Sequence, residues 1–231
     1  MNKTRLEWID VCKGILISTI VFMHIDFPFW SENAVGRYIN SFTSLYKVSI
    51  FFCVAGLTLK DNKLKETRKF VWGKVKSLWL KAVVIGIIAV LCHNVLISFG
   101  FYGVGIDYKG KIMFKYGMFD FIKQGVLTLF MANREVIIGP MWYAYVLFLA
   151  LLIIALLDWF TRLVWKNERM ARYARLIISM LLMLVSSLLT NVLGITIPRF
   201  NNTFTAVFLI DFCQFLYIWL QWKFDNKYMF I

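Results

Sequence analysis

Apolar runs long enough to cross a lipid bilayer recur along the whole chain, and no other feature limits its fold so strongly. A bilayer core of about 30 Å needs about 20 residues of helix at a rise of about 1.5 Å each. Segments near 11–29, 42–59, 80–100, 138–158, 174–195 and 204–222 approach or meet that length. The stretch Phe119–Met131 is apolar but shorter and interrupted, which suits an interfacial or re-entrant helix. In lipid each backbone polar group must be satisfied without water, and a helix does so within its own segment. The expected fold is therefore all-α: a polytopic transmembrane helix bundle of about six spanning helices plus the short one. A single membrane domain covering 1–231 is expected, with neither an internal repeat nor a soluble domain. A soluble domain is about half apolar at most, whereas 60% of this chain is hydrophobic.

The formal net charge of +13 belongs to this topology and not to nucleic-acid binding, because the basic residues fall between the apolar runs. One side gathers Lys3, Arg5 and Lys13, the 60–81 loop with its run of lysines, the 162–175 loop with Arg162, Lys166, Arg169, Arg172 and Arg175, and Lys223 and Lys227. The positive-inside bias then places both termini in the cytoplasm, in a plasma or inner membrane. Tryptophans and tyrosines near the span ends, such as Trp30, Trp79, Trp159 and Trp222, read as an aromatic belt. Cys12, Cys53, Cys92 and Cys213 lack C-x-x-C spacing and read as small buried apolar residues. No small-x-small cleavage site follows the first apolar run, so that helix is expected to be retained.

Charges within spans are costly, about 2.5–3.5 kcal/mol each at a helix centre, so each requires a partner or a function. Asp10, Lys13 and His24 project from one face of the first helix. The eleven residues from Lys13 to His24 rotate the helix to within about 20° of its start and advance it by about 16 Å. His24 has the chemistry of a general base, since an unperturbed imidazole titrates near neutrality; an interfacial histidine beside Asp26 is the plainer alternative. Lys13 either snorkels to the interface or binds an anionic donor, and Asp10 is its ion partner at i,i+3. Lys47 opens the second span. His93, mid-helix among apolar residues, reads as a satisfied packing histidine, and Asp211 must find a partner within the last span. Lys69, Lys74, Lys76 and Lys81 are either topogenic charge on an inside loop or a cradle for a phosphate-bearing donor. Neither a glycine-rich phosphate loop nor H-E-x-x-H occurs, and with two histidines no metal site is expected.

The run from Arg5 through Trp8-Ile-Asp10 and Lys13-Gly-Ile15 to His24 resembles the opening helix of the acyltransferase-3 family, in its fucose 4-O-acetylase-like branch. That family places a basic residue, usually Arg, ten intervening residues before a histidine; Lys13 and His24 keep the spacing, with Lys in place of Arg. Lys47-Val-Ser-Ile-Phe-Phe-Cys-Val-Ala-Gly56 is similar to its second-helix signature, with Ser49 where Pro is usual and Ala55 where Ser is usual. Gly139-Pro-Met-Trp-Tyr143 is similar to its Gly-Pro-Leu-Trp-Phe stretch.

The resemblance implies transfer of an acyl group, usually acetyl from acetyl-CoA, to a hydroxyl of a cell-surface glycan or a lipid-linked sugar. It implies His24 as the catalytic histidine, Lys13 as its basic partner, and Lys69, Lys74 and Lys76 as donor contacts. Trp142 N–H and Tyr143 O–H are candidate oxyanion donors. Family members usually continue through further spans, which leaves a catalytically silent truncated membrane protein as one alternative. Another is a small-molecule transporter whose path is lined by Lys13, His24, His93 and Asp211.

Overall fold

The computed structural model describes residues 11–16, 18, 49–100, 114–130, 135, 141–195 and 200–227, the side chains of 200 and 221–227 excepted. The described residues are helical, without a β-strand. Residues 11–16 and 49–57 are helical and belong to the first two expected spans, the rest of which lies largely outside the described residues. Then follow α1 (Asp61–Lys65), α2 (Thr67–Lys74), a π-helical turn (Val75–Trp79), α3 (Leu80–Ser98), α4 (Met118–Leu129), α5 (Trp142–Val164), α6 (Glu168–Asn191) and α7 (Phe200–Lys227). Among the described residues four stretches are long and apolar enough to cross a membrane: Thr67–Ser98, Trp142–Val164, Glu168–Asn191 and Asn201–Leu220. The short helix α4 has 12 residues, about 18 Å of rise, and falls below spanning length as expected.

Two sequence expectations need correction. The 60–81 loop is mostly helical, and its second half is the start of the helix that continues as α3. The 162–175 loop shrinks to residues 165–167. Lys and Arg are good helix formers, so a run of them marks a helix flank as readily as a loop. Asn167 caps α6, its side-chain oxygen accepting from the backbone N–H of Arg169 at 2.9 Å and of Met170 at 3.5 Å.

The exposed and buried faces are reversed relative to a soluble protein. Along α6 the buried positions are Ala171, Arg175, Ser179 and Ser186, whereas Ile177, Leu181, Leu184 and Leu188 are exposed. The short helix α4 buries Gln124 and Thr128, while Phe119 is 76% and Ile122 61% exposed. Water would penalise such faces, but lipid does not distinguish Leu on a helix from Leu between helices. Small and polar residues therefore take the packed seams, and the large apolar ones face the hydrocarbon.

The chain divides into two compact units, 1–71 with 149–231, and 72–148. In the first, α6 packs along α7. Gly56 meets the backbone of α7 directly. A Cβ added there would overlap the Ile210 carbonyl oxygen and stand 3.0 Å from its carbonyl carbon. No side-chain rotation relieves a backbone clash, so Gly56→Val is expected to cost about 1–3 kcal/mol by overpacking. Thermal unfolding in detergent measures it, and an unchanged midpoint would mean that the helices separate freely there. In the second unit α3 packs against α4, and Trp79 Nε1, in the π turn, donates to the Leu129 carbonyl at 3.0 Å.

Candidate functional site

The first unit holds a buried ionic network centred on Arg175. Its side chain is 2% exposed, yet each guanidinium nitrogen has an acceptor. Nε donates to Asp211 Oδ1 at 2.7 Å, Nη1 to Asp158 Oδ1 at 2.6 Å and Nη2 to Gln214 Oε1 at 2.8 Å. One arginine on α6 thus binds α5 once and α7 twice. The remaining acceptors are also occupied. Asp158 Oδ2 takes Arg162 Nε at 2.7 Å, and Asp211 Oδ2 takes the Ser179 hydroxyl at 3.3 Å. Gln214 Nε2 passes the chain on to the Leu59 carbonyl at 3.2 Å and Asp61 Oδ1 at 2.8 Å. Asp61 Oδ2 lies 2.9 Å from Arg172 Nε. Three arginines meet three aspartates here, with Glu168 at the exposed edge 3.8 Å from Arg162 and 3.7 Å from Arg172. Arg175, Asp158 and Asp211 are buried, and burial of those three charges is tolerable only with such satisfaction. The expected partner of Asp211 is therefore Arg175.

This network also corrects the topology reading. Arg175 is not a loop charge of the cytoplasmic side; it is enclosed between α5, α6 and α7 and contributes nothing to a surface bias. Sequence reasoning missed Arg175, Asp158 and Gln214 as one group. The available signal was an Asp at the end of one apolar run, an Arg at the start of the next, and Asp211 with Gln214 one turn apart in the third.

The second unit holds a cluster around His93, which is fully buried. Its Nδ1 lies 3.1 Å from the Glu135 carboxylate and its Nε2 lies 3.1 Å from the Phe114 carbonyl. Tyr116 stacks on the ring, with centroids 3.5 Å apart and planes 5° from parallel. Asn94, the next residue of α3, clamps the Tyr116 backbone with a 2.7 Å bond from its N–H and a 3.0 Å bond to its carbonyl. Both imidazole nitrogens are thus engaged, which is the satisfied packing histidine expected at this position. It ties residues 114–116 and 135 to α3. A transport path lined by His93 and Asp211 gains no support, since each is enclosed by its own partners.

Of the residues singled out in the sequence, Lys13 is helical and half-buried, while Asp10, His24 and Lys47 lie outside the described residues. Lys69 is exposed and pairs with Glu66 at 2.9 Å. Lys76 is exposed in the π turn, its Nζ 5.3 Å from the Trp72 ring centre. Lys74 is half-buried at the end of α2, and Lys81 is exposed on α3. Lys69 belongs to the first unit, and Lys74 and Lys76 to the second. Trp142 and Tyr143 are half-buried in the first turn of α5.

A family model described as an acyltransferase domain, Acyl_transf_3, matches residues 6–226. No curated protein and no solved structure matches. The match takes in nearly the whole chain, including the segment from Lys13 to His24, the basic α1–α2 region and the α5–α7 bundle. Apolar helices that turn their polar residues inward and a domain match of this extent agree, and the chain belongs to the acyltransferase-3 family of membrane acyltransferases.

Proposed function

We propose that this acyltransferase moves an acetyl group from acetyl-CoA to a hydroxyl of a cell-surface glycan or lipid-linked sugar, in a plasma or inner membrane with both termini cytoplasmic. The observation that carries the reading is the family match across the segment that holds the Lys13–His24 spacing.

His24 takes the proton of the acceptor hydroxyl as its oxygen attacks the thioester carbonyl. The new C–O bond forms a tetrahedral oxyanion, with Trp142 N–H and Tyr143 O–H as candidate donors to it. The C–S bond then breaks, the thiolate leaves, and the proton held by His24 returns to give free CoA thiol. Lys13, with Asp10 as its ion partner, supplies positive charge toward the donor. A lysine keeps the charge but lacks the planar fork of arginine, so it steadies a phosphate as a point charge. Lys69, Lys74 and Lys76 are the further cations for the donor's phosphates.

The test is reconstitution of the full chain in liposomes with labelled acetyl-CoA and a polyprenyl-linked sugar acceptor. Acetyl-ester formation above that of empty liposomes is expected. Acceptor movement without acetylation would favour a transporter, and neither activity would favour a silent membrane protein.

A further inference from the structure

We propose that the chain from Phe114 to Glu135 enters and leaves the membrane on one side, and that His93 clasps its two ends through a proton held between His93 and Glu135. The course follows from anchors on the helix that ends as α3. Asn94 holds the Tyr116 backbone at 2.7 and 3.0 Å, and Trp79 holds the Leu129 carbonyl at 3.0 Å. From Trp79 to Asn94 the helix rises about 22 Å, and from Tyr116 to Leu129 the chain rises about 20 Å as a helix. Nearly equal lengths between paired ends mean that α4 runs antiparallel beside α3, along a spanning helix and not flat in the interface. Glu135 then stands beside His93 again, at the level where Phe114 began.

The faces of α4 agree with immersion. Met118, Phe119, Ile122, Val126 and Phe130 are exposed and fall within about 120° of the helix circumference. Gln124 and Thr128 are buried on the opposite side. A wholly apolar exposed stripe suits hydrocarbon along the length of the helix.

Hydrogen-bond accounting supplies the proton. His93 Nε2 lies 3.1 Å from the Phe114 carbonyl, which only accepts, so Nε2 carries a hydrogen. Nδ1 lies 3.1 Å from the Glu135 carboxylate. A neutral imidazole has one N–H and one bare nitrogen, and a bare Nδ1 would meet an ionised carboxylate lone pair to lone pair. Both ends are held together only with one further proton, on Nδ1 as an imidazolium or on Glu135 as a neutral carboxyl. Loss of that proton to water leaves one end unclasped. The Tyr116 ring is stacked on the imidazole. Asp120 on α4 accepts from the Gly117 N–H at 3.2 Å, and Lys115 and Lys123 are exposed. Lys76 of the π turn lies about 25 Å down the helix. Glu135 is thus the acid brought against the ring.

The experiment takes three readings on the full chain. Lys115→Cys and Arg134→Cys, each in a chain with Cys12, Cys53, Cys92 and Cys213 replaced by Ala, meet a membrane-impermeant maleimide in right-side-out and inverted vesicles. Both are expected to react in the same vesicle orientation, and any other pattern would overturn the one-sided course. Nitrogen-15 NMR of the imidazoles in neutral detergent, assigned with a His24→Ala sample, reads the proton. At neutral pH it is expected to show two N–H groups on His93, or one beside a neutral Glu135 carboxyl. A bare Nδ1 beside an ionised Glu135 would overturn the shared proton. Glu135→Gln is expected to give a neutral imidazole that keeps its Nε2–H, because the amide N–H donates to Nδ1 without an added proton; an imidazolium there would also overturn it. His93→Ala is expected to speed hydrogen exchange at Tyr116 and Gly117 at least about tenfold, with α6 unchanged. Unchanged exchange, or an equal rise in α6, would overturn the clasp.

Discussion

Arg175→Met is expected to destabilise the folded bundle by about 3–5 kcal/mol, the cost of removing one partner from a buried ion pair. The reason is what it leaves behind. Asp158 and Asp211, both nearly inaccessible, would lose the cation that lies within 2.7 Å of each. Gln214 Oε1 would lose its donor as well. The Arg175→Lys variant keeps the charge but replaces a fork that addresses three residues by one ammonium. It is expected to recover part of the loss, leaving about 1–3 kcal/mol. Removing the charges together, as Asp158→Leu, Arg175→Met and Asp211→Leu, is expected to be much milder than Arg175→Met alone, because no fully buried charge is then stranded; Arg162, which loses Asp158, is partly exposed and keeps Glu168 at 3.8 Å. Unfolding midpoints of the four proteins in one detergent decide the matter. If Arg175→Met unfolds at the wild-type midpoint, the network does not hold α5, α6 and α7 together.

His24→Ala is expected to lower acetyl transfer by about 10²–10⁴-fold, the range that loss of a general base produces. Protein abundance and unfolding midpoint are expected to hold. Those two readouts separate this variant from Arg175→Met, which is expected to lower stability and activity together. Lys13→Ala is expected to weaken donor binding, raising KM for acetyl-CoA, while Lys13→Arg is expected to retain function, since it restores the residue commoner in the family at this spacing. A Lys13→Ala protein with unchanged KM would remove Lys13 from the donor site.

The all-helical membrane character was legible because bilayer physics writes it into the sequence as length and hydropathy. Helix α4 was legible for the same reason, being apolar but too short. The limits of the other helices were not. Hydropathy reports where lipid is, whereas helices continue past it into charged residues, as α2 does before α3 and α6 does before Ile177. Arg175 shows the sharper failure. An arginine beside a predicted span end reads as a loop charge, and only its three acceptors on two other helices reveal it as buried. His93 was legible in kind, since an isolated imidazole in an apolar helix must be satisfied. Its partners Glu135 and Phe114 stand 42 and 21 residues away, and no local pattern announces them. Of the proposed chemistry, spacing carries the Lys13–His24 pair, and the two residues have only the family match beside it.

The most direct test of acyl transfer through His24 is the rate at which labelled acetyl passes from acetyl-CoA to a polyprenyl-linked sugar in liposomes holding equal amounts of wild-type or His24→Ala protein. A wild-type rate well above background, falling at least about a hundredfold in the variant, is the predicted result. Equal rates in the two proteins would contradict it.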